Sequence, residues 1–195
     1  MKPKPFSISV VYFVAVIVIS HFFAPPGYGW TYHTISDLAS QGHVYKWIMQ
    51  AGFVGFGAIL TLGVAYYFHR KRRLYFLFLV AVYGLSILMS GIFCAAPIDP
   101  SVGYSVSDAN LHSMFASIAG VGLSLAIFWQ VFQSIDTKEK RNHFVFLLLV
   151  MGLSGIFGMA ENGMIALDKG IIQRFLYLSG LAWLVYQERL LENRL

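Results

Sequence analysis

Long apolar stretches separated by short polar breaks run the length of this chain. Six of them approach or exceed the roughly 17–25 residues that a helix needs to cross the hydrocarbon core of a bilayer. They cover about 8–24, 46–68, 74–96, 108–133, 144–167 and 170–187. The first ends at Pro25-Pro26, where a helix does not continue comfortably. Its basic start, Lys2 and Lys4, also suits a signal peptide, but no clear small-residue cleavage site follows, so the segment is expected to be retained. The pattern predicts an all-α integral membrane protein, a single six-span transmembrane domain over residues 1–195.

Composition narrows the class further. The chain is 57% hydrophobic and 12% charged, against about 45–50% and about 25% in soluble domains. That excludes an ordinary cytosolic domain, a disordered tail and a soluble disulfide scaffold. Cys94 is the single cysteine, so no intramolecular disulfide forms; it reads as a small packing residue.

The basic residues orient the spans. A cytoplasmic N-terminus places Lys2, Lys4, Arg70, Lys71, Arg72, Arg73, Lys138, Lys140, Arg141, Arg189 and Arg194 inside and only Lys46, Lys169 and Arg174 outside. Both termini are therefore expected in the cytoplasm, with the protein in the cell membrane. The net charge of +5 then needs no nucleic-acid partner. The run His69 to Arg73 reads as a topology anchor touching anionic lipid headgroups.

Two patterns bear on packing. Ser20-His-Phe-Phe, Ser90-Gly-Ile-Phe and Ser154-Gly-Ile-Phe recur near the outer ends of spans 1, 3 and 5, which hints at three pseudo-repeated helical hairpins, a device of membrane transport folds. Gly52, Gly55 and Gly57 in span 2, and Gly152, Gly155 and Gly158 in span 5, let backbones approach closely in lipid. Tight packing within one bundle is expected of both sets, with a homodimer face as the alternative.

Polar chemistry concentrates on the outer side. His21, His33, His43 and His112 lie there, as do Asp37, Asp99, Asp108, Glu161 and Asp168. His33 and Asp37 are four apart, as are Asp108 and His112, a spacing that puts each pair on one helical face. Asp108 can orient the His112 imidazole. His33, Asp37, Asp108 and His112 together can bind zinc or a similar divalent ion, whose bound water attacks an ester or amide. Without metal, His112 with Asp108 can act as base and orienter, with Ser36, Ser107 or Ser113 as nucleophile candidates. A polar network holding loops onto the bundle is the plainer alternative. Glu161 with Asn162, and Gln173 with Arg174, are polar groups within membrane spans, which usually face an interior or a cavity. A Glu161–Arg174 pair, or contact with a lipid headgroup, would satisfy them. His69 and His143 adjoin basic loops and are expected to be wet, which argues against haem.

The stretch Tyr32-His33-Thr34-Ile35-Ser36-Asp37-Leu38-Ala39, with Trp47 to Phe53 after it, resembles the bacterial and archaeal membrane family catalogued as domain of unknown function 998. That family carries His-x-Ile-Ser-Glu/Asp-Leu-Gly/Ala before its second span. Gly91-Ile-Phe93, Asp99-Pro100 and His112-x-x-x-Ala116 resemble its second block, and Gly170-Ile-Ile-Gln173-Arg174 its start to the last span. Asp37 stands where glutamate is common, and Cys94-Ala95-Ala96-Pro97 lengthens the segment before the acidic turn. The resemblance implies a six-span bundle, singles out His33, Asp37, Asp99, His112, Gln173 and Arg174, and is more loosely similar to eukaryotic six-span proteins of lipid remodelling.

These readings lead to one expectation: a polar site at the extracytoplasmic leaflet that binds or hydrolyses a lipid or other amphiphile. His112, Asp108, His33 and Asp37 would carry the chemistry, and Arg174, Gln173, Glu161, Asn162 and Asp99 would contact the ligand. Membrane lipids are the expected partners. A transport or substrate-capture subunit is the alternative, though no nucleotide-binding loop is present; a scaffold without ligand is the third.

Overall fold

A computed structural model describes residues 4–70 and 75–193. Lys2, Lys71, Arg72, Arg73 and Arg194 of the basic set lie outside the described residues. The described chain forms six helices: α1 (Pro5–Phe22), α2 (Lys46–Arg70), α3 (Tyr75–Ile92), α4 (Val106–Gln133), α5 (Thr137–Glu161) and α6 (Lys169–Asn193), with a 3-10 turn at Ser36–Ala39. No strand is present among the described residues; Ser40 and Ala95 form an isolated bridge between two loops.

Five of the six, α1 to α5, are long and apolar enough to cross a membrane. Helix α6 has the length but carries Gln173, Arg174, Gln187, Glu188 and Arg189. It nevertheless runs the full height of the bundle. Its first turn meets the α1–α2 loop, where Ile171 N–H donates to Thr31 C=O. Its last turns meet the starts of α1 and the end of α2 through Glu188. The molecule thus has a loop end, carrying the α1–α2, α3–α4 and α5–α6 connections, and an opposite terminal end.

Several helix ends differ from the hydropathy reading, each for a local reason. Helix α5 stops at Glu161, not 167, because Asn162-Gly163 terminates it: Gly163 adopts φ 69°, and Met164 N–H closes back on Met159 C=O, a left-handed glycine cap. It starts at Thr137, not 144, because Asp136 caps Glu139 N–H. Helix α3 stops at Ile92, and Ala95-Ala96-Pro97 runs on as a non-helical link. The three Ser-containing ends are therefore not equivalent. Ser20 and Ser90 lie in the last turns of α1 and α3, whereas Ser154 sits well inside α5.

The core is aromatic and aliphatic. Phe6 and Phe13 of α1, Phe53, Phe56 and Leu60 of α2, Leu77 of α3 and Trp183 of α6 are fully buried. Gly52, Gly55 and Gly57 are tightly packed: side chains there would collide with Val16, Tyr12 and the Gly84 carbonyl respectively. Gly152, Gly155 and Gly158 correct the matching expectation, since a Cβ at any of them meets nothing within 4 Å. His143 corrects another: it is fully buried, and its Nδ1 accepts from Trp183 Nε1 at 3.1 Å.

Candidate functional site at the loop end

Helices α4 and α5 follow one another through a short connection. Between them, with α3 and α6 behind, lies a cavity of about 1270 Å³. Its rim carries the polar residues His33, Ser36 and Asp37 from the α1–α2 loop, Asn110 from α4, Glu161 and Asn162 from α5, and Lys169 and Gln173 from α6, beside the apolar stretch Ala95 to Ile98. Farther down, Ala116, Gly120, Leu123, Val150 and Leu176 make a mostly apolar wall. Val121, Leu125 and Phe128 of α4 and Met151 of α5 line it too and are largely exposed on the bundle surface, so the cavity is also a crevice in the side of the bundle.

His112 is the most constrained polar group in this wall. It is 4% exposed, and its Nδ1 lies 2.7 Å from Ser90 C=O and 3.1 Å from Phe93 C=O. Both are carbonyls at the end of α3, where helical partners run out. Nδ1 therefore carries a hydrogen, and in the neutral ring Nε2 is the acceptor. This corrects the expected role of Asp108. The orienting groups are backbone carbonyls, while Asp108 sits in the first turn of α4 with its N–H donating to Ser105 Oγ and does not line the cavity.

His33 and Asp37 are not a helical pair either. The 3-10 turn begins only at Ser36. Asp37 Oδ2 accepts from Thr34 N–H at 2.7 Å, and Thr34 Oγ1 accepts from Asp37 N–H in return, a reciprocal cap. His33 Nδ1 accepts from Gly29 N–H at 2.9 Å. The loop is docked on α6 by Gln173, whose Oε1 accepts from Ile35 N–H at 2.6 Å.

Arg174 fixes the same loop from the other side. It donates to His33 C=O (3.0 Å), Gly170 C=O (2.9 Å), Tyr28 Oη (2.6 Å) and His21 Nε2 (3.0 Å). Tyr28 in turn donates to Thr34 C=O. Burial pushes the Tyr28 phenol above its ordinary value, with Arg174 opposing that shift. The expected Glu161–Arg174 pair does not form; Glu161 instead pairs with Lys169 at 3.1 Å. Asp99 is exposed in the α3–α4 loop, held by Ser101, whose hydrogen bonds keep its carboxyl below the usual range. It lies off the cavity.

The structure thus brings His33, Asp37, His112, Gln173, Glu161 and Asn162 to one cavity and leaves Asp108, Asp99 and Arg174 out of it. The four-residue metal set is not assembled: among the described residues, no three His, Cys, Asp or Glu side chains come together as a metal-holding group. Of the serine candidates, Ser36 and Ser113 line the cavity and Ser107 does not. Sequence reasoning missed Tyr83, Tyr177 and Ser154 in the lower wall. It also missed Glu188, 1% exposed, which accepts from Phe6 N–H, Ser7 N–H, Ser7 Oγ and Tyr67 Oη at the terminal end. A carboxylate within the apolar stripe of Leu184 and Leu191 was the available signal for it.

No curated protein and no solved structure matches the chain. The family described as "Protein of unknown function (DUF998)" matches residues 7–186. With a match over nearly its whole length, and with the six-helix, membrane-type architecture in view, the chain belongs to that family.

Proposed function

We propose that this protein binds an amphiphile of the outer leaflet, with the polar head at the cavity rim and the chain in the crevice between α4 and α5. The observation that carries the reading is the one-sided polarity of the cavity. Hydrogen-bonding groups crowd the loop end, and apolar surface continues below to the exposed face of α4. Small-molecule sites usually enclose about 300–1,000 Å³; about 1270 Å³ suits a head with a chain attached.

The basic residues at the terminal end, Lys4, Arg70, Lys138, Lys140, Arg141 and Arg189, support a cytoplasmic placement for that end and an extracytoplasmic one for the rim. In this reading α6 is the sixth span and the protein resides in the cell membrane. The rim charges favour an uncharged or zwitterionic head. Glu161 is already paired with Lys169, and Asp37 is engaged by Thr34.

Hydrolysis of the bound amphiphile is a second reading, favoured by one observation. The His112 tautomer presents Nε2 as a base, in the manner of a general base held by its other nitrogen. The decisive experiment on binding is native mass spectrometry of the full chain, purified in mild detergent, beside His112→Asn. A lipid retained near one per chain and lost in the variant is the expected result. A lipid-free wild-type protein, or equal retention by both, would overturn the reading.

A further inference from the structure

The lower cavity wall contains one buried hydroxyl that the described residues do not satisfy. Ser154 Oγ, on α5, is buried without a hydrogen-bond partner among the described residues. Its neighbours in kind behave differently. Ser117 and Ser124 of α4 also line the cavity, but each turns its hydroxyl back onto a carbonyl of its own helix. Tyr83 of α3 and Tyr177 of α6 line the same stretch of wall. Tyr83 is 4% exposed, Tyr177 is half-buried, and both rings belong to one aromatic cluster, Tyr83 against Phe56 and Tyr177 against Phe13, with Phe13 and Phe56 in contact.

These three groups share the wall of one cavity. At about 1.5 Å per residue, Tyr83 lies about 13 Å below Ile92, Tyr177 about 12 Å below Lys169, and Ser154 about 10 Å below Glu161. All three come from different helices, each about two turns or more from its own helix's loop end. Below them the wall is apolar again. An unmatched hydroxyl in an apolar wall costs free energy unless a partner arrives. A plain acyl chain brings none.

We propose that the ligand carries a second hydrogen-bonding group, a hydroxyl, ether or carbonyl, partway along its chain, and that Tyr83, Tyr177 and Ser154 recognise it. The inference rests on the amphiphile reading above and refines its ligand class. It also accounts for the small residues Ser113, Ala116 and Gly120 on the facing wall, which leave room for a substituted chain.

The test compares two monoglycerides with the same head and chain length, monoolein and monoricinolein. They differ by one mid-chain hydroxyl. Each is titrated into the full-length protein in detergent and followed by native mass spectrometry, and the readout is the ratio of the two affinities within each variant. The wild type is expected to prefer monoricinolein about fivefold, the scale of one net hydrogen bond. The ratio is expected to fall toward one in Tyr83→Phe, in Tyr177→Phe and in Ser154→Ala, each of which removes only a hydroxyl. Equal affinities in the wild type, or an undiminished preference in all three variants, would overturn the inference and leave the amphiphile reading standing. Failure of the wild type to bind either glyceride would overturn both. Ser154→Ala, at a helical position, keeps the test decisive should either tyrosine variant fold poorly.

Discussion

His112 Nδ1 stands 2.7 Å from the carbonyl oxygen of Ser90, so a side chain of α4 closes the end of α3. The same contact fixes the tautomer that turns Nε2 into an acceptor. Structure and function can be separated here, because asparagine retains a donor near the Nδ1 position and has nothing at Nε2. His112→Asn is expected to unfold within a few degrees of the wild type and to lose amphiphile binding tenfold or more. His112→Ala, which abandons two carbonyls, is expected to cost about 1–3 kcal/mol as well. Thermal unfolding beside a binding titration checks both, and wild-type binding by the asparagine variant would remove Nε2 from the site.

Arg174 gathers four acceptors from three parts of the chain. A lysine ammonium cannot span that fork. Arg174→Lys is expected to destabilise by about 1–3 kcal/mol and to speed hydrogen exchange in residues 28–37 before the rest of the molecule. Unchanged exchange in that loop would show that Gln173 alone holds it.

Glu188 receives two backbone N–H groups at the start of α1, one serine hydroxyl and one phenol. All its partners are donors, and a negative charge suits a helix N-terminus. Glu188→Gln puts an NH2 among donors and is expected to cost about 2–4 kcal/mol. Glu188→Asp retains the charge but shortens the reach, and is expected to fall between. A denaturation series ranks the three; parity of glutamine with glutamate would show that the negative charge contributes nothing at this position.

Tyr28 gives the outer loop an alkaline limit. Its folded value is raised above the ordinary 10, so the folded protein holds this proton more tightly than the unfolded chain. Folded protons in excess mean that stability declines as pH rises. The contribution is intact below pH 10 and is lost as pH climbs through the raised value, when the Tyr28 donor to Thr34 C=O disappears. Tyr28→Phe is expected to flatten the alkaline arm of a stability–pH curve while lowering stability at neutral pH.

Two glycines predict opposite outcomes. At Gly57 a methyl group meets the backbone of Gly84 and Leu88, which cannot yield without separating α2 from α3. Gly57→Ala is expected to destabilise by about 1–3 kcal/mol. At Gly155 a methyl meets open space, and alanine favours the helix by about 0.5–1 kcal/mol. Gly155→Ala is expected to be neutral or slightly stabilising in a thermal shift assay; a large loss there would reveal a partner packed on α5.

Hydropathy carried the five apolar helices α1 to α5, their order and the membrane-type class, because a run of some twenty apolar side chains has few other stable outcomes. The same run is silent about where a helix ends. Asn162-Gly163 and Asp136 set the limits of α5 through single hydrogen bonds that hydropathy averages away.

At the site, the residue types were legible and their partners were not. His33, Asp37, His112 and Gln173 stand out as polar groups at the borders of apolar segments, and all four reach the cavity. Spacing suggested that Asp108 orients His112 and that His33 and Asp37 share one helical face. In the fold, backbone atoms take those places: Ser90 and Phe93 for His112, Gly29 for His33, Thr34 for Asp37. The reason is physical. Helix ends and loops leave carbonyl and N–H groups that must be satisfied wherever water is scarce, and the nearest polar side chain is recruited to them. Which side chain is nearest depends on how helices pack, a matter of contacts far apart in the chain. The cavity itself belongs to that level, since α3, α4, α5, α6 and the α1–α2 loop line it together, and Tyr83, Tyr177 and Ser154 share its wall from three separate helices.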